Sequence, residues 1–300
     1  MKNTTQSATS LYKVAISPYM VITCIALNIF ILLNNTTVLI IFIKLKKLKV
    51  QHCYMLALVI TDLTVLVINT VQAAILISQE IKLTDTVCVL LGSLPVFSFT
   101  MTSIVHACLT IDRWTSVAHP ITYRNFEYSQ NSRKLTVTVI IAIQAVQALQ
   151  QYLAWHYGQI DFYFDPYLPY WVPTSGANGR AGMILGLLFA FVLPFVIEVT
   201  LNVHIINIVR QMRSTTRTRT LKAVKTVLMT LGGYYICCIP MAVLTVWKGI
   251  VLTSAEPAEW LVFLAVQSLM LNSGMSGIIY YLTLPDFKET LMNIIYCQHN

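Results

Sequence analysis

The chain has 300 residues, 56% of them hydrophobic and 11% charged, and 20 Lys and Arg against 12 Asp and Glu give a formal net charge of +8. Soluble chains carry about 25% charged residues, and so few charges cannot cover this much apolar area in water, which excludes an ordinary soluble domain and points to the bilayer as solvent. Eleven Gly and ten Pro exclude collagen-like or linker-like sequence, seven scattered Cys exclude a disulfide scaffold, and the composition marks no domain boundary.

A hydrocarbon core of about 30 Å takes roughly 20 apolar residues as helix. Runs of that kind predict seven spans, near 16–43, 53–77, 87–118, 134–156, 181–210, 222–250 and 258–283, followed by a short amphipathic helix near 285–296. The chain therefore divides into an outer N-terminal segment at 1–15, a helical bundle at 16–283, and an amphipathic helix with a short inner tail at 284–300. No small-residue cleavage site follows the first span, which reads as an anchor rather than a signal peptide. Fifteen cations fall on one side: Lys44, Lys46, Lys47, Lys49, Arg113, Arg124, Arg133, Lys134, Arg210, Arg213, Arg217, Arg219, Lys222, Lys225 and Lys288. Short loops rich in Lys and Arg stay in the cytosol, so the N-terminus is expected outside, where Asn3-Thr4-Thr5 is a glycosylation acceptor.

The third span ends Thr110-Ile111-Asp112-Arg113-Trp114-Thr115-Ser116-Val117-Ala118-His119-Pro120-Ile121-Thr122-Tyr123. This run resembles the Asp-Arg-Tyr motif and following Val-x-x-Pro-Leu of rhodopsin-like (class A) G-protein-coupled receptors. Cys88 stands 25 residues earlier, about 37 Å along a helix, so the two lie at opposite mouths of the bundle. Further motifs follow in order. Asn34-Asn35-Thr36-Thr37-Val38 is similar to the family's first-helix motif, and Leu58-Val59-Ile60-Thr61-Asp62 to its second. Pro194 matches the fifth-helix proline and Tyr234-Tyr235-Ile236-Cys237-Cys238-Ile239-Pro240 the sixth-helix pattern. Asn272-Ser273-Gly274-Met275-Ser276-Gly277-Ile278-Ile279-Tyr280 keeps the seventh-helix Asn-Ser and Tyr, with Ser-Gly in place of Asn-Pro; Pro285-Asp286-Phe287-Lys288 looks like the start of the eighth helix.

The resemblance implies an all-α seven-transmembrane bundle in the plasma membrane that signals to a heterotrimeric G protein by outward movement of the sixth helix. Asp112, Arg113, Tyr234, Cys238, Pro240 and Tyr280 would form the coupling and activation switch. Asp62 with Asn35, Thr102, Asn272, Ser273 and Ser276 would surround one sodium ion; alternatively Asp62 is a neutral, hydrogen-bonded acid tying helices together. Cys297 resembles a palmitoylation site, an ordinary tail cysteine being the alternative. Departures from the pattern weaken the resting state: Thr220 replaces the acid that pairs with the arginine in many relatives, Cys238 the sixth-helix tryptophan, and Asn202 a fifth-helix tyrosine. Ligand-independent activity is therefore expected. His106, two turns before Arg113, must find a partner or water, as a neutral ring bonded to Tyr or backbone or as a proton sensor.

The loop from about 156 to 181 has no cysteine to pair with Cys88, which is expected to be a free thiol. Alternating aromatic residues around Phe162 and Phe164 suit a β-ribbon or a lid over the mouth. The ligand pocket is expected from Pro95, Val96, Phe99, Met241, Ala242, Thr245, Val266 and Met270. It offers no upper third-helix acid for an amine and no lysine for a retinal Schiff base. An apolar lining accepts a lipophilic small molecule or is packed shut, while outer acids could attract a basic peptide. Gln144, Gln147 and Gln150 form a polar stripe for bundle packing or a dimer contact. Intramembrane enzymes and transporters are disfavoured by the absence of His-Glu-x-x-His, Gly-x-Ser-x-Gly or repeated halves. A non-signalling decoy or partner subunit is the more serious alternative. The inner basic excess fits anionic lipid headgroups and a G protein, without nucleic acid.

Overall fold

The computed structural model describes residues 18–45, 50–78, 85–128, 131–157, 160–165, 170–175, 188–212, 214–250 and 258–296. Asn3 and Cys297 lie outside the described residues, as do positions 46–49, 79–84, 176–187 and 251–257. In chain order the elements are α1 (Pro18–Lys44), α2 (Val50–Ser78), α3 (Asp85–Ala118), α4 (Pro120–Tyr128), α5 (Ser132–His156), β1 (Ile160–Asp165), β2 (Tyr170–Ser175), α6 (Leu193–Gln211), α7 (Ser214–Ile250), α8 (Glu259–Thr283) and α9 (Pro285–Ile295). A π-helical turn, Leu188–Val192, leads into α6. Seven of these helices run from 19 to 37 residues. A helix satisfies its own backbone groups, which is why so apolar a chain takes this form in lipid.

Among the described residues, Val21–Lys44, Val50–Val71, Leu193–Gln211 and Trp260–Leu282 are long and apolar enough to cross a bilayer, and Leu231–Leu244 is a shorter apolar stretch. The long helices follow the predicted spans closely. Two starts differ: α7 begins at Ser214 rather than near 222 and so carries its helix further past its apolar part, and in the fifth span, expected from 181, residues 181–187 lie outside the described set and α6 begins at Leu193 after the π-helical turn. The short α4 was not expected from the hydrophobic pattern; Pro120 at its first position has no amide hydrogen to lose and a fixed φ suited to helix entry.

Burial is inverted relative to a protein in water. Helix α1 turns Ile22, Ile25, Ile29, Leu33 and Ile43 outward while Ile31, Asn35, Val38 and Phe42 face inward at spacings of three and four. The polar residues are therefore at the centre. Helix α3 packs against α2, α5, α6 and α7, and its buried surface includes Ser98, Thr102, Ser103, His106 and Thr110.

Small residues let α8 approach α1 closely. A methyl group on Gly274 would overlap the Phe30 ring, and one on Gly277 would stand 2.9 Å from Val38 Cγ2 and 3.3 Å from the Asn34 carbonyl. Pro240 inside α7 removes one amide donor, leaving the carbonyl four residues earlier without its helical partner and favouring a kink there. Helix α9 is fixed by Phe287, whose ring centre lies 5.1 Å from Phe42 and 5.9 Å from Tyr280. Strands β1 and β2 pair antiparallel, with Phe162 opposite Pro173 and Phe164 opposite Trp171. This ribbon lies against α3.

Candidate functional site

Three layers of the bundle carry the candidate residues. Near the C-terminal end of α3, Arg113 lies 3.5 Å from Asp112 and donates a hydrogen bond to Gln51 Oε1 of α2. Tyr123 of α4 donates to the other Asp112 oxygen at 3.0 Å. The unexpected short helix thus orients the acid that neighbours the arginine. Beside them, the Trp114 indole donates to His204 Nδ1 on α6 at 2.8 Å, which requires that nitrogen to be unprotonated, and the His119 ring meets Trp114 edge-on. Thr220 lies in α7, and its side chain is outside the described set.

The middle layer gathers α1, α2, α3 and α8. Asn35 Nδ2 donates to the Ser273 carbonyl at 2.7 Å, and the Ser273 hydroxyl bonds the Asp62 carboxylate. Asp62 Oδ2 and Asn35 Oδ1 have no protein partner. Thr102 gives its hydroxyl proton to the Ser98 carbonyl at 2.9 Å, which leaves its oxygen free to accept. Asn272, Ser273, Ser276 and Tyr280 are all buried, and the Tyr280 hydroxyl has no hydrogen-bond partner. The layer is rich in unused acceptor oxygens, the chemistry a small hard cation or ordered water requires.

The third layer joins α3, α6 and α7. Tyr234, Tyr235, Cys238 and Leu231 form one buried cluster with Phe99, Phe191 and Leu269 packed on it. The Phe99 and Tyr234 rings stack at 6.1 Å, and His106 tilts against Tyr234 at 5.0 Å. His106 therefore meets a tyrosine ring rather than a tyrosine hydrogen bond, and its Nδ1 has no partner. Cys238 is fully buried in this layer, among the rings of Tyr234 and Tyr235 of α7, Phe99 of α3 and Phe191 of the π-helical turn. Tyr235 donates to Glu198 Oε2 of α6 at 2.6 Å.

The residues expected to line a ligand pocket fall into two groups. Phe99 belongs to the aromatic layer, whereas Met241, Val266 and Met270 pack with Ile31 and Leu66 toward α1 and α2. Met270 also accepts a hydrogen bond from Asn69 Nδ2 at 2.6 Å. Ala242 is half-buried on α7, and the side chains of Pro95, Val96 and Thr245 lie outside the described set. Among the described residues Cys24, Cys53, Cys108, Cys237 and Cys238 form no disulfide; Cys88 stands in the first turn of α3, its side chain outside that set.

Comparison with protein families decides what these layers belong to. A family model described as 7 transmembrane receptor (rhodopsin family) matches residues 34–280. The chain belongs to the rhodopsin family of seven-transmembrane receptors. The receptor is accordingly a seven-helix membrane protein of signal transduction, in a family of receptors rather than enzymes that couple to heterotrimeric G proteins. A search of curated proteins finds no match. Three parts of the receptor escaped sequence reasoning: Gln51 as a partner for Arg113, α4 as a holder of Asp112, and the Glu198 to Tyr235 bond. Glu198 signalled itself as an acid inside a span, but nothing in its neighbourhood along the chain names a partner 37 residues away.

Proposed function

We propose that the receptor carries the signal of an extracellular or lipophilic ligand across the plasma membrane to a heterotrimeric G protein, with its N-terminus outside and α9 lying along the inner leaflet. Outward movement of α7 opens the inner mouth, and Arg113, released from Asp112 and Gln51, contacts the G protein. The observation that carries this reading is the arginine itself, partly buried at the inner end of the central helix and held by two side chains. Asp62, Thr102, Ser273 and Ser276 would hold a sodium ion, whose charge would balance the Asp62 carboxylate. Anionic lipids would meet the inner basic residues, Asn3 would be glycosylated and Cys297 palmitoylated, and a dimer through the Gln144 to Gln150 stripe is the further contact this reading allows.

The rebuilt Cys238 layer and Thr220 support ligand-independent activity. Second-messenger levels across several pathways are expected to exceed those of mock-transfected cells and to fall back with Arg113→Ala at equal surface expression. Levels no higher than mock would remove the constitutive part of the reading. Ser276-Gly277 in the place of the family's Asn-Pro favours a second reading, a non-signalling decoy or partner subunit.

A further inference from the structure

We infer that Glu198 and Tyr235 are positioning residues that latch α6 to α7 and set how readily the inner mouth opens. Glu198 is 1% exposed, on the α6 face that also buries Pro194, Asn202, Ile205 and Val209. One carboxylate oxygen accepts the Tyr235 proton at 2.6 Å and the other has no partner. Asn202, one turn along, spends its amide on the Glu198 backbone carbonyl at 2.8 Å. The carboxyl group therefore relies on α7 for its hydrogen bond. Tyr235 is in turn boxed in by rings: Phe195 at 4.7 Å, Tyr234 at 5.0 Å and Phe191 at 5.5 Å, all edge-on.

The position of this bond gives it leverage. Tyr235 lies five residues before Pro240, on the inner side of the proline and, on the receptor reading, in the part of α7 that must move. Among the described residues α7 packs far more extensively on α8 than on α6, and the Glu198 to Tyr235 bond, with the Phe191 and Phe195 rings around it, is what the structure shows joining α6 to α7 at this level. Pulling Tyr235 away would leave an acid with no partner in apolar surroundings, and an unmet buried group costs more than a bond to water gains. The latch stands in for a resting restraint at Thr220, where no acid is present.

The inference rests on the receptor reading, so the test separates the two. Spin labels carried on non-natural ketone side chains at positions 210 and 225, both exposed on α6 and α7, report the opening directly and spare the native cysteines. In nanodiscs, Tyr235→Phe is expected to raise the open-to-closed ratio about tenfold, the effect of losing one good buried hydrogen bond. Glu198→Ala should do the same, whereas Glu198→Gln keeps an acceptor oxygen and should stay close to wild type. Wild-type distances in Tyr235→Phe, or equal opening in Glu198→Gln and Glu198→Ala, would overturn the latch. Nucleotide exchange on a G protein is read in parallel: opening with raised exchange supports both readings, and opening without it supports the latch and contradicts the receptor reading.

Discussion

Asp62 shows how much rests on single side chains in this bundle. Its carboxylate receives one hydroxyl, from Ser273, and its Oδ2 is buried without a hydrogen-bond partner. An ionised acid in that place needs a counter-charge, and a sodium ion supplies one without a proton. Replacing potassium by sodium at constant ionic strength should therefore raise the melting temperature of the wild type, by about 1.4 kcal/mol of stability at ten times the dissociation constant. Asp62→Asn should abolish that response. An equal sodium effect in both proteins would remove the ion from the account and leave Asp62 as a neutral tie between helices. At the inner end, Gln51 has a similar weight for Arg113. It supplies a neutral acceptor on α2, so the arginine is held to that helix.

Among the elements, α8 is the one on which the others are hung. It packs against both α1 and α7, bonds Asn35 and Asp62 through Ser273, and accepts from Asn69 through Met270. Gly277 makes the α1 contact close: a side chain there meets Val38 and also the Asn34 backbone, which cannot swing aside as a rotamer can. Gly277→Leu should cost about 1 to 3 kcal/mol, as overpacking of a filled interface does, and lower the melting temperature in detergent. Gly233→Ala, whose new methyl would sit 3.7 Å from Ile279, is the control and should be close to neutral. If both variants melt with the wild type, α1 and α8 are not packed as described. The contrast with α7 is instructive, because a helix that must move cannot be packed equally on both sides. Among the described residues its contact with α8 is extensive and that with α6 sparse, which is why the proposed Glu198 to Tyr235 latch would be a point of control.

For the whole molecule, the bilayer solvent was legible from composition, and the long helices from apolar runs, because both depend on sums over many residues. The inner arginine and the central acid were legible because a charged side chain in an apolar run is conspicuous. What joins these groups to their neighbours was not. Gln51 is an unremarkable polar residue until α2 and α3 are placed side by side, and Tyr123 gains its role only because Pro120 starts a helix. Phe99 and Met270, both expected in one pocket, face different clusters, since helix rotation rather than depth decides which side chains meet. The central claim for the whole molecule is that the Arg113 mouth activates a G protein. Guanine-nucleotide exchange on a panel of purified heterotrimeric G proteins, with the receptor in nanodiscs, tests it most directly. Exchange should be measurable on at least one member without ligand, rise severalfold with Gln51→Ala, and disappear with Arg113→Ala; exchange on no member, or exchange indifferent to Arg113→Ala, would contradict it.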